Sequence, residues 1–173
     1  PAPGTSTTFG VISANFRFNA NSQLAFWGAD GLWIDSSGSL VLDTAEVDAE
    51  LTSMGVGPSP GIREWVFNAS GQFGISGIEG VWRGEDGAYE RVAEIGGVAP
   101  GTDPEALFSP LSRSFLTSDA IALSDAGQLA FAIDTQVPDS DPVKGFWSHH
   151  DGSGLHVMVQ GGDPAPVGEP GVE

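Results

Sequence analysis

The sequence predicts an all-β fold made of three antiparallel meander repeats, each with four strands and each stacked on the next in the manner of β-propeller blades. A polar turn that leads into an apolar strand occurs three times, beginning at Asn19, Asn68 and Ser124. A Gly-apolar-Trp step follows each strand, at Gly31, Gly80 and Gly145. Self-similarity of this kind indicates a repeat architecture and takes precedence over local assignments.

Proline marks divide the chain into units. They stand at four places: Pro3, Pro60, Pro100 and Pro166. We therefore interpret the chain as a single repeat domain with unit one at 1–57, unit two at 58–97 and unit three at 98–163. Residues 164–173 then begin a fourth unit or form a junction between chains.

The first unit shows why strands are expected. Residues 9–18 alternate at their end, with Phe16 and Phe18 on one face and Arg17 on the other. In the next strand, Leu24 and Phe26 share one face while apolar residues also occupy the opposite face. A strand that is apolar on both faces is expected to lie between two neighbouring sheets. Asp-Gly and Ser-Gly turns join the remaining strands into an antiparallel meander.

Units two and three follow the same plan, with two departures. The third unit carries about nine additional residues, the polar stretch 134–142, which we interpret as a loop insertion. Residues 44–54 alternate less clearly, and Thr44 could cap a short helix with Val47 and Leu51 on one side. A helix and an irregular connection are equally compatible with this segment.

The turn motif resembles a known family. Asn68–Gln72 and Ser124–Phe131 are similar to the NxxGxxAF signature of a bacterial tandem-repeat family, and 162–166 matches the phrase that ends its units. Ser22 stands where the turn glycine is expected, and Ser124 replaces the asparagine. The resemblance covers nearly the whole chain and implies a secreted or surface-anchored bacterial protein with propeller-like repeats. It implies no active site.

Three units are fewer than the four to eight blades of ordinary closed propellers. The sequence leaves three solutions open: the chain is an excerpt of a longer array, two chains complete a ring, or three units close as a β-trefoil or β-prism. Both ends of the chain, 1–4 and 164–166, match the same part of the repeat. This is compatible with an excerpt of a longer array and equally with head-to-tail assembly of chains.

Charge and composition exclude some partners. Six basic and 23 acidic residues give a net charge of −17, which disfavours binding to nucleic acid. The chain has no cysteine, so disulfides and thiolate chemistry are excluded. No apolar stretch is long enough to predict a membrane-spanning helix, and no leader peptide is recognisable in a chain that begins with proline.

Aromatic residues at equivalent positions predict a packed core. This structural set comprises Trp33, Trp82, Trp147, Phe26 and Phe131. Trp27 and Trp65 have no counterparts in the other units, so they are the better candidates for stacking on a sugar or anchoring a partner, although burial is the more common fate of such rings.

Metal and catalytic signals are weak. Four aspartates in or near the insertion could supply oxygen ligands to Ca²⁺, although solvated loop carboxylates explain them more simply: Asp134, Asp139, Asp141 and Asp151. His149 and His150 adjoin in what we expect to be a turn. The sequence contains no nucleophile elbow and no phosphate-binding loop, so we expect no enzymatic activity and no obligatory cofactor.

Two functions remain open on this basis. The first is a non-catalytic structural or adhesive module, outside the bacterial cell or on its surface, that acts by self-association, as a dimer or a head-to-tail filament, or by contact with a partner or flanking repeats. The alternative is a carbohydrate-binding, lectin-like module. Exposed apolar strands at the outer sheets would favour assembly, and exposed aromatic residues clustered beside Asn or Asp would favour the lectin.

Overall fold

A computed structural model describes residues 12–28, 31–36, 39–43, 62–77, 80–85, 88–102, 106–109, 121–150 and 152–164. These residues form thirteen strands and their turns, and none of them lies in a helix. The predicted all-β class is therefore confirmed. The segment 44–54, for which a helix was considered, lies outside the described residues. Within the described part of the chain, no helix has the length and apolar character to cross a membrane.

The strands form three antiparallel sheets. Sheet one has the order β1-β2-β3-β4, formed by Ile12–Phe18, Leu24–Gly28, Gly31–Ser36 and Ser39–Asp43. Sheet two has the order β5-β6-β7-β8, formed by Ile62–Phe67, Phe73–Gly77, Gly80–Glu85 and Ala88–Glu94. Sheet three has the order β10-β11-β12-β13, and β9 also pairs with β11. Strands β9 to β13 are, in turn, Leu107–Phe108, Ile121–Leu123, Leu129–Gln136, Val143–His150 and Gly154–Gln160.

Strand register identifies equivalent positions in the three sheets. Trp33, Trp82 and Trp147 pair across strands with Phe26, Ile75 and Phe131. Sheets two and three also share a bulge, because Val92 and Met158 are the extra residues opposite the Gly-apolar-Trp steps. Equivalent pairs and equivalent bulges allow residues of different sheets to be compared directly.

The predicted structural residues lie in the core. Trp33, Trp82, Trp147, Phe26 and Phe131 are all buried, as predicted. Phe73, Ile75 and Leu129 are buried as well, whereas Leu24 is partly exposed. Burial of a large ring on each sheet stabilises the fold, because such rings bury much apolar surface.

The stretch 134–142 was wrongly interpreted as a loop insertion. Much of it extends a hairpin: Asp134 and Thr135 continue β11 and pair with Lys144 and Val143 of β12. The short strand β9 then pairs with this extension at Thr135 and Gln136. Only residues 137–142 connect the two strands. The additional residues therefore lengthen β11, and β9 joins sheet three by pairing with the lengthened part.

Sheets two and three pack through a position without a side chain. A Cβ atom added to Gly74 of β6 would lie 2.5 Å from Leu129 Cδ1, 3.1 Å from Val66 Cγ2 and 3.2 Å from Ile121 Cδ1. Leu129 and Ile121 belong to sheet three, so Gly74 marks the face of sheet two that receives side chains from sheet three.

This close approach predicts that Gly74→Ala destabilises the protein by about 1–3 kcal/mol, since an added methyl group overpacks a filled core. Urea denaturation followed by circular dichroism measures the change. The double variant Gly74→Ala/Leu129→Val is the control, because valine has no Cδ1. We expect it to be less destabilised than the sum of the single variants. Strict additivity would show that Leu129 does not occupy the space above Gly74.

Candidate functional site

The repeated turns have one geometry. In each, the first residue receives a hydrogen bond at its carbonyl oxygen from the fourth residue: Ser22 N donates to Asn19 O, Gly71 N to Asn68 O and Gly127 N to Ser124 O. The fourth residue has a positive φ in every case, 60° at Ser22, 84° at Gly71 and 79° at Gly127. Ser22 therefore adopts the conformation that favours glycine, as its place in the motif predicts.

Asparagine stabilises the turn in which it stands. Asn68 Oδ1 accepts hydrogen bonds from the backbone N–H groups of Ser70 at 3.0 Å and Gln72 at 2.9 Å. Its Nδ2 donates to Gln72 Oε1 at 2.6 Å. Asn19 makes the same contacts with Asn21 and Gln23. These are the local bonds that make asparagine a turn residue.

The same amide groups also join neighbouring turns. Asn19 Nδ2 donates to Asn68 O at 3.0 Å, and Asn68 Nδ2 donates to Ser124 O at 2.8 Å. The acceptor is each time the first residue of the next turn, so the bonds form a series, which we call the turn ladder. Asn21 Nδ2 supports it by donating to Ala69 O at 3.1 Å. The repeated motif thus holds sheets together as well as shaping hairpins.

The turn ladder has a direction. Ser124 retains the local bond, since its Oγ accepts from Gln128 N at 3.0 Å. A serine side chain is too short to repeat the amide bond that Asn19 and Asn68 make to the following turn. The third turn therefore accepts from the second without an amide to donate onward, and the first turn donates to the second.

One face of sheet one exposes aromatic rings that its counterparts bury. Phe16 and Phe18 are 57% and 63% exposed. By register, the equivalent residues of sheet two are Trp65 and Phe67, which are 1% and 8% exposed. In sheet three the equivalent of Phe16 is Ile121, which is buried. We call the surface formed by Phe16 and Phe18 the N-terminal face.

Sheet three shows the converse pattern on its opposite side. Phe146 and Val159 are 50% and 43% exposed, and the bulge residue Met158 is 63% exposed. Their equivalents in sheet two, Val81 and Ala93, lie in the core formed with sheet three, and Val92 packs against it. We call the surface formed by Phe146, Met158 and Val159 the C-terminal face. Phe146 and Val159 thus lie at positions that are buried in sheet two. On sheet one, Phe26 and Trp33 lie by register on the same face as Phe16 and are buried, so the strong exposure there is that of Phe16 and Phe18 on β1.

Trp65 does not provide the surface aromatic considered from the sequence. Its ring is buried, lies 6.1 Å from the Phe67 ring and lies beneath the guanidinium of Arg17, 5.9 Å from Cζ to the ring centroid. Arg17 also lies 3.8 Å from Glu64, so this ring belongs to the contact between sheets one and two. Trp27 is part of β2, and its side chain lies outside the described residues.

The candidate calcium ligands do not converge where they are described. Asp134 is buried in β11, whereas Asp139 and Asp141 are exposed in the 137–142 connection. No group of three metal-binding side chains occurs among the described residues, and Asp151 lies outside them. The prediction of a turn at the histidines is wrong, because both lie in β12. His149 is buried 3.7 Å from Glu90, and His150 is exposed on the other face.

A cleft of about 350 Å³ lies beside β9. Among the described residues, its lining carries no charged side chain and comprises Ile95, Gly96, Leu107, Phe108, Ser109, Gln136 and Pro138. The polar groups there bond within the protein: Ser109 N donates to Asp134 O, and Gln136 Nε2 donates to Ser140 O. Phe108 packs edge-on against Trp147 at 4.9 Å. This lining lacks the convergent polar groups by which a saccharide is oriented.

Comparison with protein families, with curated proteins and with solved structures finds no match to this chain. The exposed apolar side chains of sheets one and three and the turn ladder are the features of the described residues that bear on function.

Proposed function

We propose that the chain is a non-catalytic structural or adhesive repeat module of a bacterial cell surface or extracellular matrix, and that it works by contact with other protein chains. The observation that carries the proposal is the exposure of Phe16 and Phe18 on sheet one and of Phe146 and Val159 on sheet three, at positions that are buried in sheet two. Contiguous apolar surfaces of this kind are typical of interaction sites.

The finer architecture is part of the same proposal. We propose that the three sheets are repeats of one unit, stacked in the manner of propeller blades and related to the tandem-repeat family that the turn motif resembles. The turn ladder and the equivalent bulges support this interpretation, because both place equivalent positions in the same role in neighbouring sheets.

One observation bears on the lectin alternative, since Phe16 and Phe18 are exposed beside Asn19. Their rings meet edge to face, 6.2 Å apart at 82°, and so do not form one flat platform for a sugar. The amide groups of Asn19 and Asn21 donate to turn two. The polar groups that a saccharide would need are thus engaged in the turn ladder, which favours protein contact.

Beads coated with the chain test the proposal. We expect them to aggregate with each other or to adhere to bacterial cells, and we expect beads that carry Phe16→Ser/Phe18→Ser to do so less. A saccharide array probed with the soluble chain provides the second arm. Dispersed beads that bind no cell, together with binding to a defined saccharide, would replace the proposal with the lectin function.

Salt dependence gives a further prediction. Copies with a net charge of −17 repel each other, and this repulsion is screened as ionic strength rises, whereas apolar contact is retained. Self-association measured by sedimentation velocity should therefore strengthen with added sodium chloride, and the Phe16→Ser/Phe18→Ser variant should respond less. Weakening by salt would indicate association through opposite charges, contrary to the proposal.

A further inference from the structure

We infer that the outer side of sheet three binds a divalent transition-metal ion of the class that imidazole prefers, represented by Zn²⁺, between His150 of β12 and His156 of β13. The inference does not depend on contact between chains, since it names a ligand and its two protein donors. It rests on strand register, on the exposure of both rings and on the arrangement at the equivalent positions of sheet two.

Strand register places the two histidines together. Ser148 of β12 lies opposite His156 of β13, and His150 lies opposite Gly154. His150 is two residues beyond Ser148, so it lies on the same face of the sheet as Ser148 and His156. The two histidines are therefore diagonal neighbours, about 7–8 Å apart, a separation that ring side chains can bridge. Both histidines are exposed, and the bulge of β13 at Met158 lies outside this part of the ladder.

In sheet two, a cation occupies the centre of the corresponding positions. Arg83 lies opposite Glu90 by register, and its guanidinium lies 3.8 Å from the carboxylate of Glu85 on the same strand. The counterparts of Arg83, Glu90 and Glu85 in sheet three are, in order, Ser148, His156 and His150. A side chain at one flanking position therefore reaches a positive charge at the centre in sheet two.

The central residue of sheet three is uncharged. Ser148 is short, and its hydroxyl oxygen accepts a hydrogen bond from Gln128 Nε2 at 2.8 Å. The flanking positions carry imidazoles in place of carboxylates, and imidazole nitrogen suits Zn²⁺, Cu²⁺ and Ni²⁺. A bound metal ion would supply the positive charge that Arg83 supplies in sheet two, with water at its remaining coordination positions. The net charge of −17 attracts cations to the surface and favours such binding.

The chain's third histidine provides an internal control. His149 lies on the opposite face of β12, is buried, and has Nε2 at 3.7 Å from Glu90 Oε1 of sheet two. A metal ion bound there would lie between sheets two and three. Binding at His149 and binding at the outer pair therefore give different results in the experiments below.

Correlation spectra of the imidazole protons and nitrogens, recorded as zinc chloride is added to the 173-residue chain, test the site directly. Calcium chloride is present in excess, because carboxylates suit Ca²⁺ and the 23 acidic side chains then bind less Zn²⁺. We expect the ring signals of His150 and His156 to shift along one saturation curve, while those of His149 stay in place. A shift of one exposed ring alone, or of neither, would overturn the inference.

Calorimetric titration with zinc chloride in the same buffer measures what each ring contributes. We expect His150→Ala and His156→Ala each to weaken Zn²⁺ binding by at least about tenfold, because loss of even an outer partner of a metal ligand has an effect of this size. Both rings are exposed, and circular dichroism checks that the variants fold. Half the stoichiometry with unchanged affinity in each variant would show two separate sites and overturn the shared one.

Glu90→Gln is the matched control. It changes an exposed carboxylate that lies beside His149 and that occupies, in sheet two, the position of His156. We expect its affinity for Zn²⁺ to equal that of the wild type. Loss of binding in Glu90→Gln, together with retention in His156→Ala, would place the ion between sheets two and three and overturn the inference. The bead assay, run without added zinc, tests the proposed function separately from all of these outcomes.

Discussion

Replacing Trp82 with alanine is expected to lower the free energy of unfolding by about 3–5 kcal/mol, because the substitution removes a fully buried ring and leaves a cavity that neighbouring residues fill only in part. Trp82 lies at the centre of sheet two, paired with Ile75 on β6 and Arg91 on β8. Urea denaturation followed by far-UV circular dichroism gives the value, at a concentration where the chain is monomeric.

Phe18→Ala is the matched control for this prediction. It also removes an aromatic ring from a strand, but from one that is 63% exposed. We expect its effect on the unfolding free energy to be within about 1 kcal/mol, because the ring is on the surface and loses only its exposed edge contact with Phe16. If the two variants unfold at the same urea concentration, burial of the repeated tryptophan does not stabilise the sheet.

The sequence predicted those features of the structure that depend on neighbouring residues or on recurring positions. Alternation with a period of two placed Phe16 and Phe18 on the face opposite Arg17, and the structure shows this arrangement. Recurrence of tryptophan at matching positions predicted the buried set of Trp33, Trp82 and Trp147. Both signals depend only on near neighbours or on comparison between similar segments, which a single sequence contains.

The sequence was less informative about contacts between distant residues. The turn ladder joins residues 49 and 56 positions apart, and the local role of asparagine in a turn already explains its presence. The polar composition of 134–142 concealed a hairpin extension, because Asp134 and Thr135 are buried by pairing with other strands and not by their own hydrophobicity.

Trp65 was suggested as a surface residue because it is not repeated, but its side chain is buried. The sequence interpretation gave Trp65 no counterpart in the other units and suggested a surface role, yet register makes it the equivalent of Phe16 and Ile121. The position is apolar in all three sheets, and a neighbouring sheet decides whether it is buried. Comparison of exposure at equivalent positions therefore identifies Phe16 as the exposed member of this set.

Asn68→Ala is expected to destabilise the protein by about 3 kcal/mol, since the substitution removes one side chain that makes four hydrogen bonds. Asn68 is buried, and two of its bonds are to the N–H groups of Ser70 and Gln72. The other two are to Gln72 Oε1 and Ser124 O. Loss of these partners leaves buried polar groups unsatisfied, which costs about 1–3 kcal/mol for each group that water cannot reach.

Asn68→Ser separates the local bonds from the bond between sheets. Serine retains an acceptor for the Gln72 N–H, as Ser124 does for Gln128, and loses the amide that reaches the third turn. We expect a loss of about 1–2 kcal/mol in urea denaturation, smaller than for alanine because the local bond remains. We also expect faster hydrogen exchange at the N–H of Ala69, which donates to Asp125 Oδ1 across the same junction. Stability equal to the wild type, with unchanged exchange at Ala69, would show that the turn ladder does not hold sheets two and three together.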